Sequence, residues 1–225
     1  MRRLLPCPTL VLLLAAMAPA HEPFPRFEMQ EIDPHAGSVV YALTVADVNG
    51  DGLPDVCALT EDAIVWYENP SWTRHDLLKG ATQAAAGTTR DNVCFAPLDI
   101  DGDGDLDFAL GADWRPTDTQ EGGTLYWARQ DGPDDWTLIP IGQEPTVHRM
   151  RWADVTGDRK PELIVVPLQG RGTSGPDGGQ GSGVRILVYS IPDDPSNDPW
   201  PLEVADDTLH TTHGFVGLDW DGDSR

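Results

Sequence analysis

Along this chain a cluster of aspartates and glycines is followed by a short unbroken apolar run, and the pairing returns. It reads DVNGDGLPDVCAL from Asp47, DIDGDGDLDFALG from Asp99 and DVTGDRKPELIVV from Asp154, and DWDGDSR from Asp219 opens a fourth copy. Apolar runs of about five residues bounded by turn residues predict strands, because helices need ten or more. After each run come aromatics, a turn and a tryptophan: IVWYENPSW ending at Trp72, LYWARQDGPDDW at Trp136 and ILVYSIPDDPSNDPW at Trp200. Proline with Asp, Asn or Gly between two such runs is hairpin-turn chemistry. Each tryptophan then opens an alternating stretch, TRHDLL, TLIPIG or PLEVAD. One copy therefore predicts an inner strand, an acid loop, a second strand, an aromatic third strand, a turn and an outer strand.

The copies start 52, 55 and 65 residues apart, close to the ~40–50 residues of a propeller blade. The predicted fold is all-β, an incomplete β-propeller of four-stranded blades spanning residues 21–225, with three blades and the start of a fourth. Spacing grows only through insertions between the second and third strands, ADWRPTDTQEGG and PLQGRGTSGPDGGQGSG. Insertions at one point of every repeat fall on one face, often the binding face. The segment PRFEMQEID before the first copy resembles the outer strands and is expected to complete the sheet of a final blade. The chain stops within its fourth acid loop, so an open sheet edge prone to association is expected. Trp72, Trp136 and Trp200 are assigned to blade packing rather than to sugar platforms.

Charge narrows the partners. With 37 Asp and Glu against 15 Lys and Arg, the net charge of -22 repels phosphate and argues against nucleic acid and anionic membrane surfaces. The first 20 residues, MRRLLPCPTLVLLLAAMAPA, combine two arginines, an apolar run and Ala18 and Ala20 ahead of a cleavage point. That is the build of a secretory signal peptide, too short in its apolar part to span a bilayer. It predicts a secreted or periplasmic protein with no transmembrane segment after cleavage. Cys57 and Cys94 both sit in apolar strand-like runs, where a disulfide and a pair of buried free thiols are both open.

The acid loops begin like EF-hands and end differently. An EF-hand needs a glutamate at position 12 and flanking helices, yet position 12 is Ala58 in the first loop and Leu110 in the second, each followed by a strand. Asp99, Asp101, Asp103 and Asp107 nevertheless stand at positions 1, 3, 5 and 9, with the carbonyl of Asp105 at 7. Asp47, Asn49, Asp51, the carbonyl of Leu53, and Asp55 are their counterparts. Gathering such carboxylates without a cation costs several kcal/mol, since two unit charges 4 Å apart repel by about 4 kcal/mol at an effective dielectric of 20. Oxygen ligands without His or Cys select Ca2+. The third loop offers Asp154, Thr156, Asp158 and Glu162, with Arg159 at the sixth position in place of glycine, and is a weaker candidate. The fourth is incomplete.

The recurring D-x-[D/N/T]-G-D-x-x-x-[D/E] resembles the FG-GAP or VCBS repeats found in integrin-type β-propellers. That resemblance implies a propeller with calcium in its strand-to-strand loops and fixes fold better than function. WYENPSW, HRMRWADVTGDRKPELIVVPLQGRG and HTTHGFVGLDWDGD are also similar to the propeller portion of aldos-2-ulose dehydratase/isomerase-like proteins, secreted sugar-modifying enzymes. Six residues before each loop aspartate stand Tyr41, Val93, His148 and His213, near the starts of inner strands that point to a shared axis. His148 and His213 could therefore converge there as a general base or as ligands of a catalytic metal, with Arg149 or Arg151 stabilising an enolate-like charge. The alternative is a pair of ordinary strand histidines. Two function classes follow: a calcium-stabilised propeller that binds carbohydrate or extracellular protein, and a sugar dehydratase or isomerase. The first is favoured, because a catalytic channel needs a closed ring.

Overall fold

The computed structural model describes residues 24–79, 91–132, 135–174 and 180–222. The signal-like segment of residues 1–20 lies outside them. The chain divides into two compact units, residues 1–31 and 32–225, and the description below concerns the second.

Twelve strands form three antiparallel sheets of four. The first sheet runs β1 (Val40–Ala46), β2 (Asp55–Thr60), β3 (Ala63–Glu68) and β4 (Thr73–Lys79). The second runs β5 (Cys94–Leu98), β6 (Asp107–Ala112), β7 (Thr124–Gly132) and β8 (Asp135–Gln143). The third runs β9 (Val147–Ala153), β10 (Glu162–Pro167), β11 (Val184–Tyr189) and β12 (Leu202–Leu209). Each sheet is a simple meander of neighbouring strands, and the inner strands β1, β5 and β9 lie next to one another in turn. These are propeller blades in an unclosed array. The described residues include no helix.

The pattern of burial explains the sequence pattern. Second strands read as unbroken apolar runs because a sheet covered on both faces hides both sets of side chains, and β6 and β10 are buried at every position. Blades 1 and 2 meet through Trp66, Ile64, Phe95 and Phe108. Blades 2 and 3 meet through Trp127, Met150, Leu163 and Leu187. Outer strands such as β8 alternate between exposed and half-buried positions. Trp200 is buried and donates its indole N–H to the Pro195 carbonyl at 3.2 Å, Trp136 lies 6.1 Å from the Phe108 ring, and Trp72 packs on blade 1. Cys57 and Cys94 are both buried free thiols, each pushed up to about 12, by burial above all.

Two expectations change. Residues 24–39 form no strand, so PRFEMQEID does not appear as an outer strand. Ile32 and Ala36 instead pack against Val65 and Tyr67 of blade 1, and Asp33 accepts a hydrogen bond from the Tyr67 hydroxyl at 2.7 Å. A strand needs a neighbouring edge to satisfy its backbone, and the sheet this segment would have joined is not among the described residues. Residues 213–222, after the third blade, likewise carry no strand.

Candidate functional site

The acid loops join the first and second strands of each blade and therefore share one face. In each, the first aspartate turns inward and grips loop amides. Asp99 accepts the Gly102 and Gly104 N–H groups at 2.8 and 3.1 Å. Asp47 accepts those of Asp51 and Gly52 at 3.1 and 2.8 Å, and Asp154 those of Gly157 and Arg159 at 2.7 and 2.8 Å. The wrap requires a left-handed backbone at the sixth position, where Gly104 has φ +99° and Arg159 adopts φ +71° despite its side chain. Left-handed backbone costs a non-glycine residue about 1–2 kcal/mol, so the third loop keeps the shape under strain.

The ninth-position acid fastens the loop to its blade. Asp107 accepts the Ile100 N–H at 3.0 Å and, on its other oxygen, the Gln130 N–H of β7 at 2.9 Å. Asp55 repeats this with Val48 and Asn69 at 3.0 and 2.8 Å, and Glu162 accepts the Val155 N–H at 3.0 Å. Asp99, Asp101 and Asp107 each bring a carboxylate oxygen to within 4.8 Å of the others. Hard-cation oxygens 2.3–2.6 Å from a common centre lie up to about 5 Å apart, so this trio fits a calcium-sized ion. Asp103 stands outside the trio and accepts the Asp105 N–H at 2.9 Å. Burial raises the Asp101 carboxyl, with Asp103 and Asp99 adding to it. Burial likewise pushes Asp107 up to about 6 against its backbone hydrogen bonds.

At the opposite ends of the blades lie the insertions and the starts of the inner strands. The seven residues of β9 separate the two faces by about 20 Å. His148 is buried, with its Nδ1 unpartnered. Its ring centroid lies 4.6 Å from that of His213 and 5.2 Å from that of Trp114. Burial, then Arg149 and His213, push His148 down to about 4. Tyr41 and Val93, the equivalents in the first two blades, carry no imidazole. Strand alternation sends Arg149 and Arg151 to the other side of β9 from His148 and Met150. There they border a cavity of about 500 Å³ along β1, β5 and β9, which neither histidine lines.

The local sequence pattern does not announce a further cluster on this face. Glu144, fully buried between blades 2 and 3, accepts from Arg171 at 2.9 Å and from Arg185, whose Nη2 meets the same oxygen. The two insertions also join each other, Gly172 N–H to Thr119 O at 3.0 Å and the Thr119 hydroxyl to Thr173 O at 3.1 Å.

The sequence profile of the FG-GAP-like repeat matches residues 47–110 and again 99–165, in both cases starting at the first aspartate of an acid loop. The chain belongs to the FG-GAP-like repeat family. It is also similar to the aldos-2-ulose dehydratase of Phanerodontia chrysosporium, with 24% identity over 110 residues, 46% of this chain. The match spans 12% of that protein's length.

Proposed function

We propose that this chain is an exported propeller module whose acid loops hold Ca2+ and whose insertion-bearing face binds carbohydrate or an extracellular protein. The observation that carries the calcium reading is the convergence of Asp99, Asp101 and Asp107 oxygens within 4.8 Å, on the loop with the most carboxylates. Bound Ca2+ would neutralise these carboxylates and cross-link the loop to its blade. Asp47, Asn49, Asp51, Asp55 and the Leu53 carbonyl offer a second site of the same design, and Asp154, Thr156, Asp158 and Glu162 a weaker third. The ligand reading is supported by the two insertions, which are bonded into one surface, and by family membership. Export is supported by the signal-like first 20 residues and by the family. A glycan array and an extracellular-protein panel, probed with Ca2+ and with EDTA, test the reading. Calcium-dependent retention of a ligand is expected, and no retention on either surface contradicts it.

The proximity of His148 and His213 favours a second reading, a sugar dehydratase or isomerase-like activity akin to that for which the fungal relative is named. In it the neutral, buried His148 takes a proton from the carbon beside a sugar carbonyl, with His213 beside it, whereas Arg149 and Arg151, on the other side of β9, take no part. Turnover of an aldos-2-ulose by the chain, abolished by His148→Gln, would establish it. Absence of turnover at any substrate concentration would remove it.

A further inference from the structure

The cavity of about 500 Å³ on the axial side of β1, β5 and β9 has a charge pattern opposite to that of the rest of the molecule. The chain carries 37 acidic residues, yet none lines this cavity, whose charged groups are Arg149 and Arg151. Five other arginines, Arg74, Arg115, Arg129, Arg171 and Arg185, each face a carboxylate. Arg149 and Arg151 instead donate to carbonyls of their own strand, those of His148 at 3.1 Å and Met150 at 2.8 Å, and no carboxylate pairs with either among the described residues. Each guanidinium has five N–H donors in a planar fork, so most of this donor capacity is directed at no protein acceptor. Both charges also reach Cys94 on the cavity wall, where they act to lower its thiol pKa against the larger effect of burial.

We propose that this cavity binds a small organic acid of sugar size, a uronic-acid type carboxylate, through Arg149 and Arg151. Two arginines spaced i and i+2 on one strand stand on the same side and can each offer a fork to one carboxylate. The volume lies within the range of small-molecule sites, about 300–1,000 Å³. Tyr41 and Trp152 supply aromatic surface and Thr44 a hydroxyl to the remaining lining, the mixture a pyranose ring with polar edges requires. The first loop aspartates stand only about 7–10 Å beyond the lining along the strands, Asp99 two residues after Pro97 and Asp154 three after Arg151. That distance is comparable with the ~8 Å screening length of physiological salt, so the negative charge of the loops is attenuated at the cavity without being removed. The proposal deepens the carbohydrate reading but adds a requirement for charge that the reading itself lacks.

Titration calorimetry on the calcium-loaded full chain, with glucuronate, glucose and inorganic phosphate in separate runs, tests it. Glucuronate is expected to bind at least about tenfold more tightly than glucose, and the preference to weaken with added salt. Arg149→Gln with Arg151→Gln removes the preference, Arg149→Lys with Arg151→Lys keeps part of it, and Arg26→Gln leaves it unchanged. Should the double glutamine variant lose its folded circular dichroism, the exposed single variant Arg151→Gln provides the reading. Equal binding of glucuronate and glucose, or a preference that survives loss of both guanidinium groups, overturns the site. Phosphate binding as tight as glucuronate overturns the sugar-sized ligand. Binding of neutral glycans elsewhere on the surface leaves these outcomes intact, so the carbohydrate reading and this inference fail separately.

Discussion

Asp107 receives one backbone N–H on each carboxylate oxygen, whereas Asp101 accepts only that of Asp103, at 3.3 Å. The two members of one trio should therefore respond differently to truncation. Asp107→Ala strands two buried donors, each costing about 1–3 kcal/mol, and is expected to lower stability by about 2–4 kcal/mol whether or not calcium is present. Asp101→Ala should leave calcium-free unfolding nearly unchanged while weakening calcium binding at least tenfold. Urea unfolding in EDTA and calcium titration of both variants separate the roles. At the other face, His148 has been pushed from its ordinary 6.5 down to about 4. Between those values the unfolded chain holds a proton that the folded chain refuses, so stability rises with pH there and is lost as pH falls from about 6.5 towards 4. Asp107, raised to about 6, acts in the reverse sense, its contribution lost as pH rises through 6. Comparison with His148→Gln cancels the Asp107 effect. The variant should lose less stability than the parent between pH 7 and pH 5 in urea titrations.

Among the elements, the blade strands and acid loops were legible because each is encoded within about a dozen consecutive residues. Polar spacing sets the loop, and an apolar run long enough for one buried strand follows it. The histidine pair was legible through the repeat offset, since the same step back from successive loop aspartates lands on His148 in β9 and on His213, which meets it from a segment without a strand. Glu144 was not, because its partners Arg171 and Arg185 lie 27 and 41 residues away and neither is marked by local periodicity. The close packing of Gly123 against the Glu144 carbonyl, which a Cβ would approach to 1.7 Å, was equally hidden. PRFEMQEID misled because an alternating pattern predicts a strand only where a sheet edge receives it. The Glu144 cluster holds the insertion loop of blade 3 to the entrance of β9. Glu144→Gln should destabilise the chain by about 1–3 kcal/mol, less than a fully buried pair would cost because both arginines are partly exposed. A double-mutant cycle with Arg185→Gln should return a coupling of about 1 kcal/mol or more by urea unfolding.

For the whole molecule, three blades stack through their faces without closing, and apolar side chains remain uncovered at the first of them. Leu43 is 67% and Val45 62% exposed on β1, neighbouring positions on one side of an inner strand. Exposed apolar surface beside open backbone favours self-association. The apparent mass by light scattering should rise with protein concentration, and Leu43→Glu with Val45→Glu should hold the chain closer to a monomer. The acid loops join each first strand to its second, so under the proposed calcium reading the integrity of the array should depend on the cation. The most direct measurement is titration calorimetry of the metal-free chain with Ca2+, paired with thermal unfolding in Ca2+ and in EDTA. The account predicts heat of binding for at least the loops at Asp47 and Asp99, and a melting temperature that falls when EDTA removes the ion. No measurable heat together with an unchanged melting temperature would contradict it.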